Sequence, residues 1–480
     1  MSVLVIDVGT TDLRAAVLRP DGSLDAIHEG LVPATSPMPG LSEFDPIAMA
    51  KAALDAARAS LAAGGPVDAI AVATQRASTV LWERRSGLPV GPGIGWQDLR
   101  TAGQCLELQE KGLHLMPNQS ATKLTALLGM ARGTRAGDLC FGTVDSWLLW
   151  NLSQGSVHVE DATNAAVTGL VATDGSGWDH HVLDVLGIPA EMLPAIVDSS
   201  GVIGRATALA GAPPIAGIAG DQQASLIGQG CIRPGQAKLT LGTGGMLDQC
   251  VGAGRPRFER QGPCGTFPIV AWRLAGHLTW GVEATMLSAG SCVEWLRDDL
   301  GLISSPQECD ELAASCADSG GVRFVPALFG LGTPKWDYGA RGLLLGLSRG
   351  AGRAQVARAV LEGIAQRGAD LVEAAVGDTG LDISVLRVDG GMSRSDLLMQ
   401  LLADASAHQV EVSQVTEATT RGAGFLAGVA IGMWTDLGQA DEIVRPRAVI
   451  EPAGRPDREG WLEARNRALR TIPELSRVAF

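Results

Sequence analysis

A pattern that occurs once in each half limits most strongly how this chain can fold: an apolar run, a glycine-threonine turn, and a second apolar run. In the first half Val3 to Val8 leads into Gly9-Thr10-Thr11 and then Leu13 to Leu18. In the second, Ala237 to Leu241 leads into Gly242-Thr243-Gly244-Gly245, and strands follow through about Gly281. Short β-forming runs separated by turn residues read as hairpins. Asp21-Gly22 offers a turn into a third strand, and Asp45-Pro46 supplies an N-cap and a first-turn proline for an Ala-rich helix reaching about Ala63. Val67 to Ala73 follows as a buried strand. In the second half helical spacing runs from about Gln355 to Val376, and Ser384 to Val388 is a strand ending in Asp389-Gly390-Gly391. Helices follow from about Ser395 to Ala405 and, with a small-residue face, from Thr420 to Met433. The expectation is an α/β protein of two duplicated domains facing one another, residues 1–228 and 229–480, with the boundary near Gly228. A chain of 480 residues is long enough for each to bury its own core.

Charge then narrows the partners. With 38 Lys+Arg against 52 Asp+Glu the net charge is −14, a poor match for a nucleic-acid backbone or an anionic membrane. Only five lysines occur and none completes GxxxxGK[ST], so a Walker-type loop is excluded; any phosphate must be held by backbone N–H groups, hydroxyls and a metal. A genomic bias toward Ala, Gly and Arg accounts for the ratio itself. The eight cysteines never approach a CxxC spacing and the histidines form no HExxH, so zinc and disulfide-scaffold readings fail. The N-terminus has an acid within its apolar run and no basic leader, unlike a signal peptide. The greasy stretch from Gly422 to Trp434 is too short to span a bilayer. A reduced, cytoplasmic enzyme or binding protein is expected.

Four loops could carry chemistry, and each has a structural alternative. Asp7 closes an apolar strand, where a buried carboxylate needs a cationic partner such as magnesium; Thr10 and Thr11 offer donors to phosphate oxygens, or the turn is a polar hairpin tip. Thr243 sits in the second glycine-threonine turn, and two such turns could grip a triphosphate from both sides; in a chain with 62 glycines a chance turn is the alternative. Asp221-Gln222-Gln223 follows Gly217-Ile218-Ala219-Gly220 at a strand's exit, where an aspartate could take a proton from a substrate hydroxyl. A helix N-cap would account for Asp221 but not for the two glutamines. Asp389-Gly390-Gly391 opens the helix containing Ser395, either for approach to a ligand or as a structural turn.

The motifs DVGTTDLR (7 to 14), TQRAS (74 to 78), GWQ (95 to 97), FGTVDSWLLW (141 to 150), GIAGDQQ (217 to 223), GTGG (242 to 245), FVPALFGLGTPKWDYGARGLLLGLSRG (324 to 350) and LRVDGGMSRSDLLMQ (386 to 400) together resemble the FGGY carbohydrate kinases, and most closely their glycerol kinase branch. The resemblance implies two actin-like, ribonuclease H-like domains closing a cleft on ATP and a small polyol or sugar. It implies that Asp7 binds magnesium, that Thr10, Thr11, Arg14 and Thr243 contact the phosphates, and that Gly290, Gly391 and Ser395 line the nucleotide. Asp221 matches the general base, and Arg76, Trp96 and Gln222 match substrate contacts. Three pocket positions depart from glycerol kinases: Ala77 stands for a glutamate that accepts a glycerol hydroxyl, Asn118 for a tyrosine, and Met246 for a phenylalanine. Asp12 and Ser395 replace a serine and an asparagine beside the nucleotide. The expected reaction is phosphorylation of a primary hydroxyl on a longer polyol or a ketose, with true glycerol kinase and pentulose kinase as alternatives. From another class, an actin-like nucleotide switch or sugar sensor would have no need of Arg76, Trp96 and Asp221-Gln222 together. A homodimer is compatible with all of these readings.

Overall fold

A computed structural model describes residues 1–477 except 33, 132 and 416. Two mixed sheets carry the architecture. In the first the strand order is Ser200–Arg205, Pro214–Gly220, Ala69–Thr74, Val3–Val8, Asp12–Leu18, Leu24–Leu31. In the second it is Phe267–Leu274, His277–Met286, Gly245–Gly252, Gln236–Leu241, Val385–Asp389, Val410–Ser413, Pro446–Ile450. Each opens with the antiparallel hairpin read from sequence, Val3–Val8 on Asp12–Leu18 and Gln236–Leu241 on Gly245–Gly252. Each then adds a parallel neighbour to the first strand of that hairpin, Ala69–Thr74 and Val385–Asp389 respectively. The helix predicted after Asp45 spans Pro46–Gly64, with the Asp45 carboxylate accepting from the N–H groups of Ile47 and Ala48.

Strand alternation decides what each face meets. Leu4, Ile6 and Val8 pack with Met49, Ala53 and Ala57 of the Pro46–Gly64 helix. Val3 and Val5 pack with Ala423, Phe425 and Ala427. The helix Ala418–Ala430, far along the chain, therefore covers the other face of the first sheet. It reaches that face through glycine. A Cβ on Gly422 would lie 1.8 Å from Ala224 O, one on Gly228 1.9 Å from Ala418 O, and one on Gly217 2.6 Å from Ala427 N. The helices Asp221–Gly228 and Ala418–Ala430 thus cross backbone to backbone, which only residues without a Cβ permit. Among the described residues no helix is long and apolar enough to cross a membrane.

Candidate active site

Asp7 shares the strand face of Val3 and Val5, so its carboxylate points to the N-terminus of helix Ala418–Ala430, where Thr420 Oγ1 donates to Oδ2 at 2.8 Å. The turn that follows is closed by Gly9 N donating to Asp12 O at 2.9 Å. A short relay fixes it from the neighbouring strand end: Trp96 N–H donates to Ser78 Oγ, Ser78 donates to Gln75 Oε1, and Gln75 Nε2 donates to Gly9 O. Trp96 Nε1 also donates to Thr10 Oγ1 at 3.1 Å, so the expected substrate tryptophan and phosphate turn touch. Arg14 lies opposite Asp7 in the hairpin register, ion-paired to Glu29 at 2.7 Å and near Glu417 at 3.8 Å. Burial alone would lower its pKa, but Glu29 and Glu417 raise it overall.

The second turn is held by a helix start. Gly242 O accepts from Gly290 N at 2.9 Å, and Thr243 O accepts from the N–H groups of Ala289 and Ser291. A Cβ on Gly290 would sit 2.6 Å from Gly242 O, so this contact needs glycine. Thr243 itself is exposed at the tip. Gly390, at φ +88°, lies so close to Leu241 that a Cβ would be 2.4 Å from its carbonyl oxygen, which brings the Asp389-Gly390-Gly391 turn against the same hairpin. A 3-10 turn over Gly391–Arg394 intervenes before the helix Asp396–Ser406, which Ser395 caps. The Ser395 hydroxyl also donates to Asp310 Oδ1 at 2.6 Å.

Asp221 is the first residue of its helix rather than the cap, and Gly220 holds the cap position. Its Oδ1 accepts from Gln222 N at 2.7 Å and faces Arg76 Nε at 3.5 Å. Behind it, Gly220 N donates to Thr163 Oγ1, whose own hydroxyl donates to the buried Asp161. Arg76 gives Nη2 to Glu283 at 2.6 Å, while its Nη1 is buried with no protein partner among the described residues. Ala77 follows at φ +61° and is buried; its carbonyl accepts from Ser120 and Thr79. Met246 is half-buried on the strand beside Thr240 and Thr285. Asn118 is exposed, and its carbonyl accepts from the fully buried Lys123.

Burial and neighbouring charge shift the carboxylates and the arginine of this site. Burial pushes the Asp7 carboxyl up to about 7; the Thr420 bond and Arg14 pull it down, and the charges of Asp221 and Asp12 raise it further. Burial also raises Asp221, with Arg76 and the Gln222 N–H opposing it. Burial would lower Arg76, but Glu283, Asp221 and Asp248 carry it above its ordinary value. Among the described residues no cluster of three or more His, Cys, Asp or Glu could hold a metal. One or two carboxylates supplemented by nucleotide phosphates is the donor set that suits magnesium, and Asp7 is the carboxylate expected from sequence to take that part.

The two halves of the chain match, in order, the N-terminal domain model of the FGGY carbohydrate kinases over residues 2–228 and its C-terminal domain model over residues 238–431. The chain belongs to the FGGY family of carbohydrate kinases. It is 42% identical over 486 residues to a glycerol kinase of Dechloromonas aromatica, covering 96% of this chain and 95% of that protein. It is 39% identical over 492 residues to glycerol kinase 2 of Thermotoga maritima, covering 97% and 98%. Among solved structures, Plasmodium falciparum glycerol kinase with ADP superimposes with a TM-score of 0.90 at 26% identity, covering 100% of this chain and 99% of that one. The gluconate kinase of Lactobacillus acidophilus shares the fold, with a TM-score of 0.85 at 23% identity over 99% and 98% of the two chains. As an FGGY kinase the protein is an ATP-dependent phosphotransferase that uses magnesium and acts on a polyol or sugar.

Sequence reading passed over several residues of this cleft: Thr419 and Thr420, Lys238, Asp248, Glu283, and the Asp161–Thr163 support. Thr419-Thr420 does have a signal, since two hydroxyls open the small-residue helix. Lys238, Asp248 and Glu283 sit on strands whose facing direction only register reveals, and Asp161 and Thr163 on a short helix start reached only through the tertiary fold.

Proposed function

We propose that the protein transfers the γ-phosphoryl group of ATP to a primary hydroxyl of a polyol longer than glycerol or of a ketose. Residues 1–228 would supply the substrate pocket and first phosphate turn, and residues 229–480 most of the nucleotide contacts. In this reading Thr10, Thr11, Arg14 and Thr243 meet the phosphates, Gly290 and Gly391 allow close approach of the nucleotide, and Asp7 holds magnesium. When bound, magnesium neutralises charge on the phosphate oxygens. Asp221 accepts the hydroxyl proton late in the transfer, and its raised pKa makes it a better base than an ordinary carboxylate. Arg76, Trp96 and Gln222 orient the acceptor, with Ala77, Asn118 and Met246 shaping the pocket.

The observation that carries the substrate reading is the pairing of Arg76 and Ala77. Arg76 keeps one buried guanidinium nitrogen with no partner among the described residues, ready for a substrate oxygen, while the next residue offers no side-chain acceptor for the proton of a glycerol hydroxyl. Loss of a buried acceptor costs on the order of 1 to 3 kcal/mol, roughly tenfold to a hundredfold in binding. ADP production with glycerol, four- and five-carbon polyols and ketoses tests it. Rates with glycerol that equal or exceed the rest would refute the longer substrate. A true glycerol kinase is the second reading, favoured by relatives of that name at about 40% identity across the chain. Eight free cysteines suit a reducing compartment, and we assign the enzyme to the cytoplasm on that ground.

A further inference from the structure

Three neighbouring strands of the second sheet place Lys238, Asp248 and Glu283 in one row, because Lys238 pairs with Asp248 in register and Asp248 with Glu283. The row lies on the sheet face opposite Ala237, Leu239 and Leu241, which belong to the core. Lys238 and Asp248 are fully buried and form an ion pair at 2.8 Å. Glu283 holds Arg76, and Arg76 faces Asp221. The Lys238 ammonium also donates to Gln222 Oε1 at 2.5 Å and to Thr240 Oγ1 at 3.0 Å. A run of charge, half-buried at Asp221, Arg76 and Glu283 and fully buried at Asp248 and Lys238, therefore leaves Asp221 and comes back to Gln222, the residue next to it.

An ammonium has only donors, so the amide of Gln222 must turn its oxygen toward Lys238. Its other end is then the NH2 group. We propose that the Lys238–Asp248 pair is a positioning element for substrate specificity: it fixes the Gln222 amide so that the pocket meets the substrate with an N–H donor and never with the amide oxygen. This rests on Gln222 being a substrate contact, as argued above. Asp248 anchors the buried ammonium at 2.8 Å, and without that partner the lysine would lose its hold on one amide orientation. Free to flip, the amide would spend part of its time offering an acceptor to a substrate acceptor.

The test is a kinetic cycle. Lys238→Met combined with Asp248→Leu removes both charges without stranding either in the interior. The expected result is a rise of roughly tenfold in acceptor KM, with the KM for ATP unchanged and kcat lowered less than KM is raised. In a Gln222→Ala background the same pair of changes should have no further effect on acceptor KM. If the two effects multiply instead, the pair does not act through Gln222 and the proposal is overturned. If Gln222→Ala alone leaves acceptor KM unchanged in an active kinase, the reading of Gln222 as a substrate contact is what fails. Should the apolar pair not fold, Lys238→Gln with Asp248→Asn keeps a hydrogen-bonded pair and enters the same cycle. Lys238→Arg, which also presents only donors, should retain acceptor KM within about threefold, and a loss as large as that of the apolar pair would contradict the orienting role.

Discussion

Alanine at Gly422 sets two effects of opposite sign against each other. By helix propensity, Gly→Ala inside Ala418–Ala430 should stabilise by about 1 kcal/mol. Packing predicts the reverse, because the new Cβ would lie 1.8 Å from Ala224 O and 2.6 Å from Gly228 N. Both are backbone atoms of the crossing helix and cannot rotate away. Restoring ordinary contact, from 1.8 Å to about 3.4 Å, requires the helices to part by about 1.6 Å. Overpacking of a well-packed core typically costs about 1 to 3 kcal/mol, and a rigid backbone obstacle puts this case at the upper end or beyond, so the net effect is a loss of about 2 kcal/mol or more. The same displacement moves Thr420, two residues away, off Asp7, and a 1 Å misplacement at an active site can cost on the order of 100-fold in rate. Gly103→Ala and Gly129→Ala are the controls: both lie in helices with nothing within 4 Å of the added Cβ, and each should stabilise by about 0.4 to 1 kcal/mol with unchanged kcat. Denaturant unfolding and steady-state ADP production measure all three. If Gly422→Ala behaves like the controls, the glycine crossing does not position the cleft.

Other substitutions separate the remaining roles. Asp221→Asn should lower kcat by roughly 10² to 10⁴ while leaving ATP affinity intact, and near-full turnover would remove Asp221 as the base. Ala77→Glu should return a hydroxyl acceptor beside Arg76 and lower the KM for glycerol by about tenfold or more, with no such gain for ketoses; an unchanged preference would argue that position 77 does not face substrate. Glu160 and Asp145 are buried side by side and both meet the hydroxyl of Thr143, which has one proton to give, so one of the two carboxyls must carry a proton. Burial and then the charge of Asp145 raise the Glu160 pKa well above its ordinary value. The folded state thus holds a proton that the unfolded chain releases, and stability is lost as pH rises from the unfolded value toward the folded one. Glu160→Gln should be close to neutral at pH 4.5 and increasingly stabilising toward pH 8; an equal change in Tm at both ends would rule out the shared proton.

The chain's local order already carried the two hairpins, their glycine-threonine turns, the Asp45-Pro46 helix start and the strand ends bearing Asp7, Asp221 and Asp389. These follow from short-range periodicity and turn chemistry, which need no partner to be read. Ordered motifs across the whole length also sufficed to indicate an FGGY kinase. Sequence could not reveal that Ala418–Ala430 covers the first sheet, because the small residues on its face read equally well as an ordinary buried helix until the crossing with Asp221–Gly228 is seen. Nor could it give the row Lys238, Asp248, Glu283: a slip of one residue would turn each to the opposite face. The engagement of the Ser395 hydroxyl with Asp310 likewise depends on segments distant in the chain. Residue types and turns are local properties, whereas the facing of a side chain and its charge partners are set by register and by contacts between remote elements; tertiary structure alone fixed those.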